Sequence, residues 1–323
     1  MSVQAGGGRL LLPVVLFLAG LFLVVRGGDL FVEAAAWTAE VLGIPKFVVG
    51  ATVVSLATTL PEILVSLFSA LEGAVDMAVG NAIGSVTVNT GLIMGISILC
   101  SPAVLGRRVF AAKAVMMLAA AAVLTAFGGM GTLGLAPSLL LMMLFAAFAF
   151  ESVHTGREGR ARMKRAPFPG RKAALGNAGK FLLGAAGIAV GAQLMVDQGI
   201  VIAAALGVPE SVIGVALLGV GTALPELATT VAALRRREAA LSIGNILGAN
   251  VIDLTLILPL CALFSGKPLA ISGQARTLDL PALAVIAAVA ALPAVFGKRL
   301  CRCQGGLLIL LYAAYLTLLF LRL

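Results

Sequence analysis

Charge is scarce in this chain. Only 11% of its 323 residues are Asp, Glu, Lys or Arg, against about 25% in a soluble domain. That deficit excludes an ordinary soluble fold. Histidine is nearly absent, with His154 alone, and there are four cysteines. The Cys301-x-Cys303 pair would need further ligands to hold a metal, and His154 lies far from it in sequence, so a Cys/His metal centre is not expected. Cys100 and Cys261 fall near the ends of apolar runs, and all four cysteines read as free thiols. No secretory leader is recognised. The first apolar run, from about Leu10, has no small-residue cleavage site and reads as a retained helix.

What is abundant is apolar sequence. Hydrophobic residues make up 61% of the chain and the mean hydropathy is +1.11. Several runs reach the roughly 20 residues that a membrane helix needs. The expected fold is an all-α polytopic membrane protein of about ten helices, at 10–30, 45–70, 78–100, 109–127, 132–150, 176–197, 209–233, 241–264, 276–296 and 305–322. The first run continues as an amphipathic stretch to about Leu42. Residues 151–175 are polar and basic, with Pro167, Pro169 and Gly170. They divide a first five-helix half, 1–150, from a second, 176–323.

The net charge of +9 does not point to nucleic acid, because the basic residues occupy the gaps between apolar runs. With both termini extracytoplasmic, 19 of the 23 Lys and Arg fall on the inward side and 4 outward, as the positive-inside rule requires. The bilayer is the expected partner, with no cofactor, no nucleic acid and no obligate protein partner. The expected location is the inner, or plasma, membrane.

The two halves carry copies of one segment. Gly43 to Asn89 aligns with Gly207 to Asp253 at a constant offset of 164 residues and no gap. Five spans is an odd number, so the second copy must enter the membrane upside down. The loop charges agree. Leu71–Val79 has no Lys or Arg, whereas its counterpart Arg235–Ile243 begins with three arginines. Inverted repeats place a transport site at the midplane, where the halves meet.

Each copy sets one glutamate, Glu62 or Glu226, inside an apolar run, within Thr58-Thr59-Leu60-Pro61-Glu62 and Thr222-Ala223-Leu224-Pro225-Glu226. A charged carboxylate at mid-membrane costs roughly 2.5–3.5 kcal/mol on insertion scales. Its duplication is hard to explain as packing. The prolines lack an N–H, which frees the carbonyls of Ala57 and Gly221. Carboxylates, hydroxyls and freed carbonyls at one depth form a hard-oxygen cluster, the environment Ca²⁺ prefers. A second pair of stretches adds Asn81, Ser85 and Asn89, then Asn245, Asn250 and Asp253. Glycines spaced four apart, Gly80/Gly84 and Gly244/Gly248, let these helices approach closely. Prolines and small-residue spacings alone are more often kinks and packing; their repetition around the two glutamates is the signal.

At these residues the chain resembles the calcium/cation antiporter superfamily, in its prokaryotic sodium/calcium exchanger branch. The resemblance rests on the repeated T-x-L-P-E and G-N-x-x-G motifs, across most of 43–100 and 207–264. It implies a four-subsite cation cluster. Glu62 and Glu226 would hold Ca²⁺ with carbonyls near Thr58 and Thr222. Ser55, Thr59 and Ser85 would form a sodium position, and Asn89 and Asp253 would line the middle. Gly219 would stand at a small-residue carbonyl position. Departures from the family's pattern are Ala223 and Ala249, where serines are usual, and Val86 for asparagine. The alanines remove both hydroxyls expected at the second sodium position.

The expected function is therefore an antiporter exchanging Ca²⁺ for Na⁺ by alternating access, and not an enzyme. The resemblance assigns the gating motion to spans one and six. The runner-up keeps the fold and couples Ca²⁺, or another divalent ion, to H⁺ through the two glutamates. An intramembrane enzyme using the paired carboxylates ranks low, because no motif supplies a nucleophile or a metal-activated water. A passive channel is the remaining rival.

Overall fold

A computed structural model describes residues 7–101, 107–162, 169–207, 221–296 and 300–322. The described residues are almost entirely helical. Its helices are α1 (Gly7–Leu42), α2 (Lys46–Thr58), α3 (Leu60–Leu71), α4 (Val75–Cys100), α5 (Arg107–Gly128), α6 (Leu135–Arg162), α7 (Arg171–Ala205), α8 (Leu224–Arg235), α9 (Ala239–Ser265), α10 (Ala275–Asp279 continuing as Leu280–Val295) and α11 (Arg302–Phe320). Two short strands, β1 (Thr132–Leu133) and β2 (Leu269–Ala270), pair antiparallel and join the loops that follow α5 and α9. Among the described residues, eight helices are long and apolar enough to cross a membrane, or nine if α2 and α3, bent by 45°, count as one. The span expected at 209–233 is represented by α8 only, since 208–220 lie outside the described residues.

The structure moves several expected boundaries. Leu10 to Leu42 is one continuous helix rather than a span with an appended stretch. α6 continues to Arg162, so the first part of the expected linker is helical. Glu151 and Thr155 lie one turn apart there and hydrogen-bond at 2.7 Å. Lys113, expected among the inward-facing charges, is fully buried. Its ammonium is held by Glu151 and by Ser152 Oγ at 2.7 Å, above the Phe148 ring at 4.9 Å. Composition alone could not reveal this pair, because its partners come from a different helix.

The repeat is visible in the backbone. α3 and α8 begin and end at equivalent positions, as do Val75–Val88 and Ala239–Ile252. Each copy then opens into a π-helical turn, Asn89–Ile93 and Asp253–Ile257. Such turns widen the backbone by one residue and recur at functional sites. Both copies also break just before their proline. Thr59 has φ −81°, ψ −6° and Ala223 has φ −84°, ψ 3°, outside the α-helical well.

α4 and α9 form the centre. Of their apolar windows, 72% and 78% is buried, against 22% for α1 and 17% for α7. Glycines bring α2 against α9. A side chain at Gly244 would strike the Phe47 carbonyl, and one at Gly248 would strike Ala51 and Ser55. α1 and α7 lie outside this core and pack chiefly on each other.

Candidate cation site

The helix breaks and the π turns converge at the middle of the molecule. α2 brings Ser55 and Thr58, Thr59 sits at the α2–α3 break, and α3 brings Glu62. Thr222 and Glu226 come from the second break and α8. α4 brings Asn81, Ser85 and Asn89, and α9 brings Asn245, Asn250 and Asp253. Ser55, Thr58, Thr59, Glu62, Ser85, Asn89, Glu226 and Asp253 are all buried, and Glu226 and Asp253 are 0% exposed. Thr222 is partly buried. Gly219 lies outside the described residues.

Hydrogen bonds join the halves. Thr58 Oγ1 donates to Asn245 Oδ1 at 3.2 Å, and the Ser85 and Thr222 hydroxyls meet at 3.2 Å. Asn250 Nδ2 donates to Thr90 Oγ1 at 2.8 Å. Two equivalent asparagines fix the glutamate helices. Asn81 Nδ2 donates to the Glu62 carbonyl at 3.3 Å and to Ser66 Oγ at 2.9 Å. Asn245 Nδ2 donates at 2.9 Å to Thr229 Oγ1, which donates at 3.0 Å to the Glu226 carbonyl. Ser66 and Thr229 were not picked out from sequence. Their signal was their place three or four residues after each glutamate, on the same helix face.

The oxygens left over define the chemistry. Both carboxylate oxygens of Glu62, Glu226 and Asp253 are buried without a hydrogen-bond partner, as are Thr59 Oγ1, Asn81 Oδ1 and Asn89 Oδ1. Native interiors leave few such atoms, and an ionised carboxylate stripped of water carries a penalty of several kcal/mol. Here the three carboxylates lie within interaction range of one another. Glu62 feels the charges of both Glu226 and Asp253, and Thr58 and Thr59 face the Glu226 carboxylate from the other half. Among the described residues, no group of three His, Cys, Asp or Glu side chains closes on one point as a metal centre. The donors are instead mixed carboxylate, amide and hydroxyl oxygens. That composition suits hard cations, which accept many oxygens in adaptable geometry.

An inverted repeat of membrane helices around a shared cluster of buried oxygens is the architecture of a secondary cation transporter. The chain belongs to the sodium/calcium exchanger protein family, whose model matches residues 12–153 and 177–321, in the prokaryotic branch of the calcium/cation antiporters. Membrane protein MJ0091 of Methanocaldococcus jannaschii is 31% identical over 303 residues, covering 94% of this chain and 96% of that one. Inner membrane protein YrbG of Escherichia coli is 33% identical over 266 residues, covering 79% and 81%. The sodium/calcium exchanger MaX1 of Methanosarcina acetivorans is 29% identical over 345 residues, covering 95% and 98%. Among solved structures, the sodium-calcium exchanger NCX_Mj superposes with a TM-score of 0.81 at 29% identity, covering 95% of this chain and 99% of that chain. The protein is a multi-pass membrane transporter and not an enzyme.

Proposed function

We propose that this protein exchanges Ca²⁺ for Na⁺ across the plasma membrane, through a midplane site that opens to one side at a time. The carrying observation is the set of unpartnered oxygens on Glu62, Glu226 and Asp253, drawn from both halves. Ca²⁺ takes about 6–8 oxygens. The two glutamates supply charge and the core ligands, with carbonyls at Thr58 and Thr222. Ser55, Thr59 and Ser85 make a sodium position in the first half. Asn89 and Asp253 complete the middle, with Gly219 as the small residue of the second half. Exchange follows because Ca²⁺ and the coupling ion compete for the same carboxylates. An empty site with bare glutamates resists switching, which suppresses leak. In this reading both termini face outward and the segment 151–175, between halves 1–150 and 176–323, faces the cytosol.

Coupling to H⁺ is the second reading, favoured by one observation. Ala223 and Ala249 are buried at the second-half position and bring no side-chain oxygen. A missing sodium position leaves carboxyl protonation as the counter-movement.

Radioactive Ca²⁺ uptake into proteoliposomes under imposed Na⁺ or pH gradients tests both. Na⁺-driven uptake is expected, and it should be lost in Glu62→Gln and in Glu226→Gln while both variants still fold. Uptake driven by a pH gradient without Na⁺ selects the second reading. Normal exchange by either variant removes the glutamates from the mechanism.

A further inference from the structure

The 164-residue offset, carried back from Gly43/Gly207 through the preceding helices, pairs α1 with α7 as it pairs α3 with α8, so the contacts that α1 and α7 make with these two helices should be equivalent. They are not. α1 packs along α8, whereas the equivalent pairing, α7 along α3, is nearly absent. Gly28 of α1 lies so close to α8 that a side-chain carbon there would sit 3.2 Å from the Ala228 carbonyl and 3.3 Å from Ala232. The equivalents of Ala228 and Ala232 are Leu64 and Phe68, 43% and 58% exposed. One joint is closed by small residues, and its counterpart is open and bulky.

Charge sharpens the difference. At the closed joint Arg236 Nη2 meets Glu33 Oε2 at 2.9 Å, and Arg235 Nη1 meets Asp29 Oδ2 at 3.6 Å. Lys180 of α7 reaches Glu33 Oε1 at 2.6 Å, which ties the second long helix to the same group. At the open joint the offset sets Asp197 in place of Glu33 and Glu72 in place of Arg236. Two carboxylates stand where the closed joint has an ion pair. Gln193 and Leu71 replace Asp29 and Arg235.

We propose that Glu33–Arg236 and Asp29–Arg235 form an ionic latch that holds the joint at the Arg236 face shut, with no counterpart among the described residues at the Glu72 face. The inference rests on the alternating-access reading above, in which the Arg236 face is cytosolic and the protein rests open to the outside. Switching must release the latch and carry Asp197 toward Glu72. The resting preference is thus written into side chains remote from the cation site.

The test measures distances between spin labels at Leu71→Cys, at the end of α3, and Leu206→Cys, just past the end of α7, both exposed. The protein is in nanodiscs, on a background without its four native cysteines. Exposed or half-exposed ion pairs contribute roughly 0.2–1 kcal/mol. Arg236→Gln should therefore shift the ratio of long to short distances about 1.5- to 5-fold toward short. Arg236→Lys should keep the original distribution. Glu72→Arg should move it toward short distances by supplying Asp197 with a partner. An unchanged distribution in both Arg236→Gln and Glu72→Arg overturns the latch. So does a shift in Arg236→Lys as large as in Arg236→Gln, because the held group would then be packing rather than charge. Ca²⁺ uptake by the unmutated protein is read in parallel. Its absence, with the distance shifts intact, removes the antiporter reading and leaves the latch standing.

Discussion

Gly73 and Arg237 hold the same left-handed turn in the two halves, at φ 84° and φ 61°. Glycine adopts that backbone freely. For arginine it costs about 1–2 kcal/mol. The turn ends α3 in one copy and α8 in the other, so the geometry is demanded by the repeat and the side chain is not. Arginine fits the charge bias of its loop and is strained by its backbone.

Replacing Arg237 with glycine should therefore stabilise the protein. The relief of about 1–2 kcal/mol is offset by roughly 0.5–1 kcal/mol of extra chain entropy in the unfolded state. A net gain of about 0.5–1 kcal/mol is expected, seen as a higher thermal midpoint in unchanged detergent. A lower midpoint would show that the arginine side chain contributes more than its backbone costs.

Gly248 and Gly80 both belong to G-N-x-x-G motifs but should respond differently to alanine. A side chain at Gly248 meets the Ala51 carbonyl and Ser55, whereas one at Gly80 meets nothing within 4 Å. Gly248→Ala should push α2 from α9 and cut Ca²⁺ exchange at least tenfold, with Gly80→Ala close to normal. Equal activities in a transport assay normalised to folded protein would separate this packing from the site.

Asp253→Asn should keep much of the exchange activity, unlike the glutamate variants. Its repeat partner Asn89 opens the same π turn with a neutral amide. An amide retains an oxygen ligand at nearly the same place. If Asp253→Asn is as inactive as Glu62→Gln, the middle position must supply charge as well as an oxygen.

Introducing Ala223→Ser with Ala249→Ser should raise the sodium dependence of Ca²⁺ efflux. Both alanines are buried, at 1% and 0% exposure, so added hydroxyls cannot spend themselves on bulk water. Thr59 and Ser85 already provide hydroxyls in the first half. The reading is the Hill slope for Na⁺ at fixed pH. A steep slope in the original protein, unchanged by the two serines, means that carbonyl oxygens or water already complete the position.

The repeat, the membrane class and the two glutamates were legible because each is a local pattern. Apolar runs, prolines and a matched offset need no tertiary information. The role of Asn245 was not legible, because its partners Thr58 and Thr229 come from separate elements, one of them in the other half. The π turns at Asn89 and Asp253 were equally hidden, since one added backbone residue per turn leaves hydrophobic periodicity almost unchanged. The helix past Phe150 is hidden in the sequence because its polar, basic composition resembles a linker and masks its helix propensity. Lys113 read as a topology charge because nothing near it in sequence announces Glu151 and Ser152. The candidate site residues lie where the chain repeats itself, and the groups that support them lie where separate helices meet.

The glycines of α1 and α7 meet in crossed fashion. Gly20 abuts Gly191, and Gly27 abuts Gly184, each joining one position of the repeat to the other. Side-chain carbons at these glycines would fall within 2.6–2.8 Å of the facing backbone, so the two helices touch main chain to main chain. On the alternating-access reading proposed above, helices joined in this way would move as a single rigid beam laid across the core. A beam tilting on a fixed support cannot lift at both ends. On that reading the two entrances would be excluded from opening together by geometry, before any ion has bound.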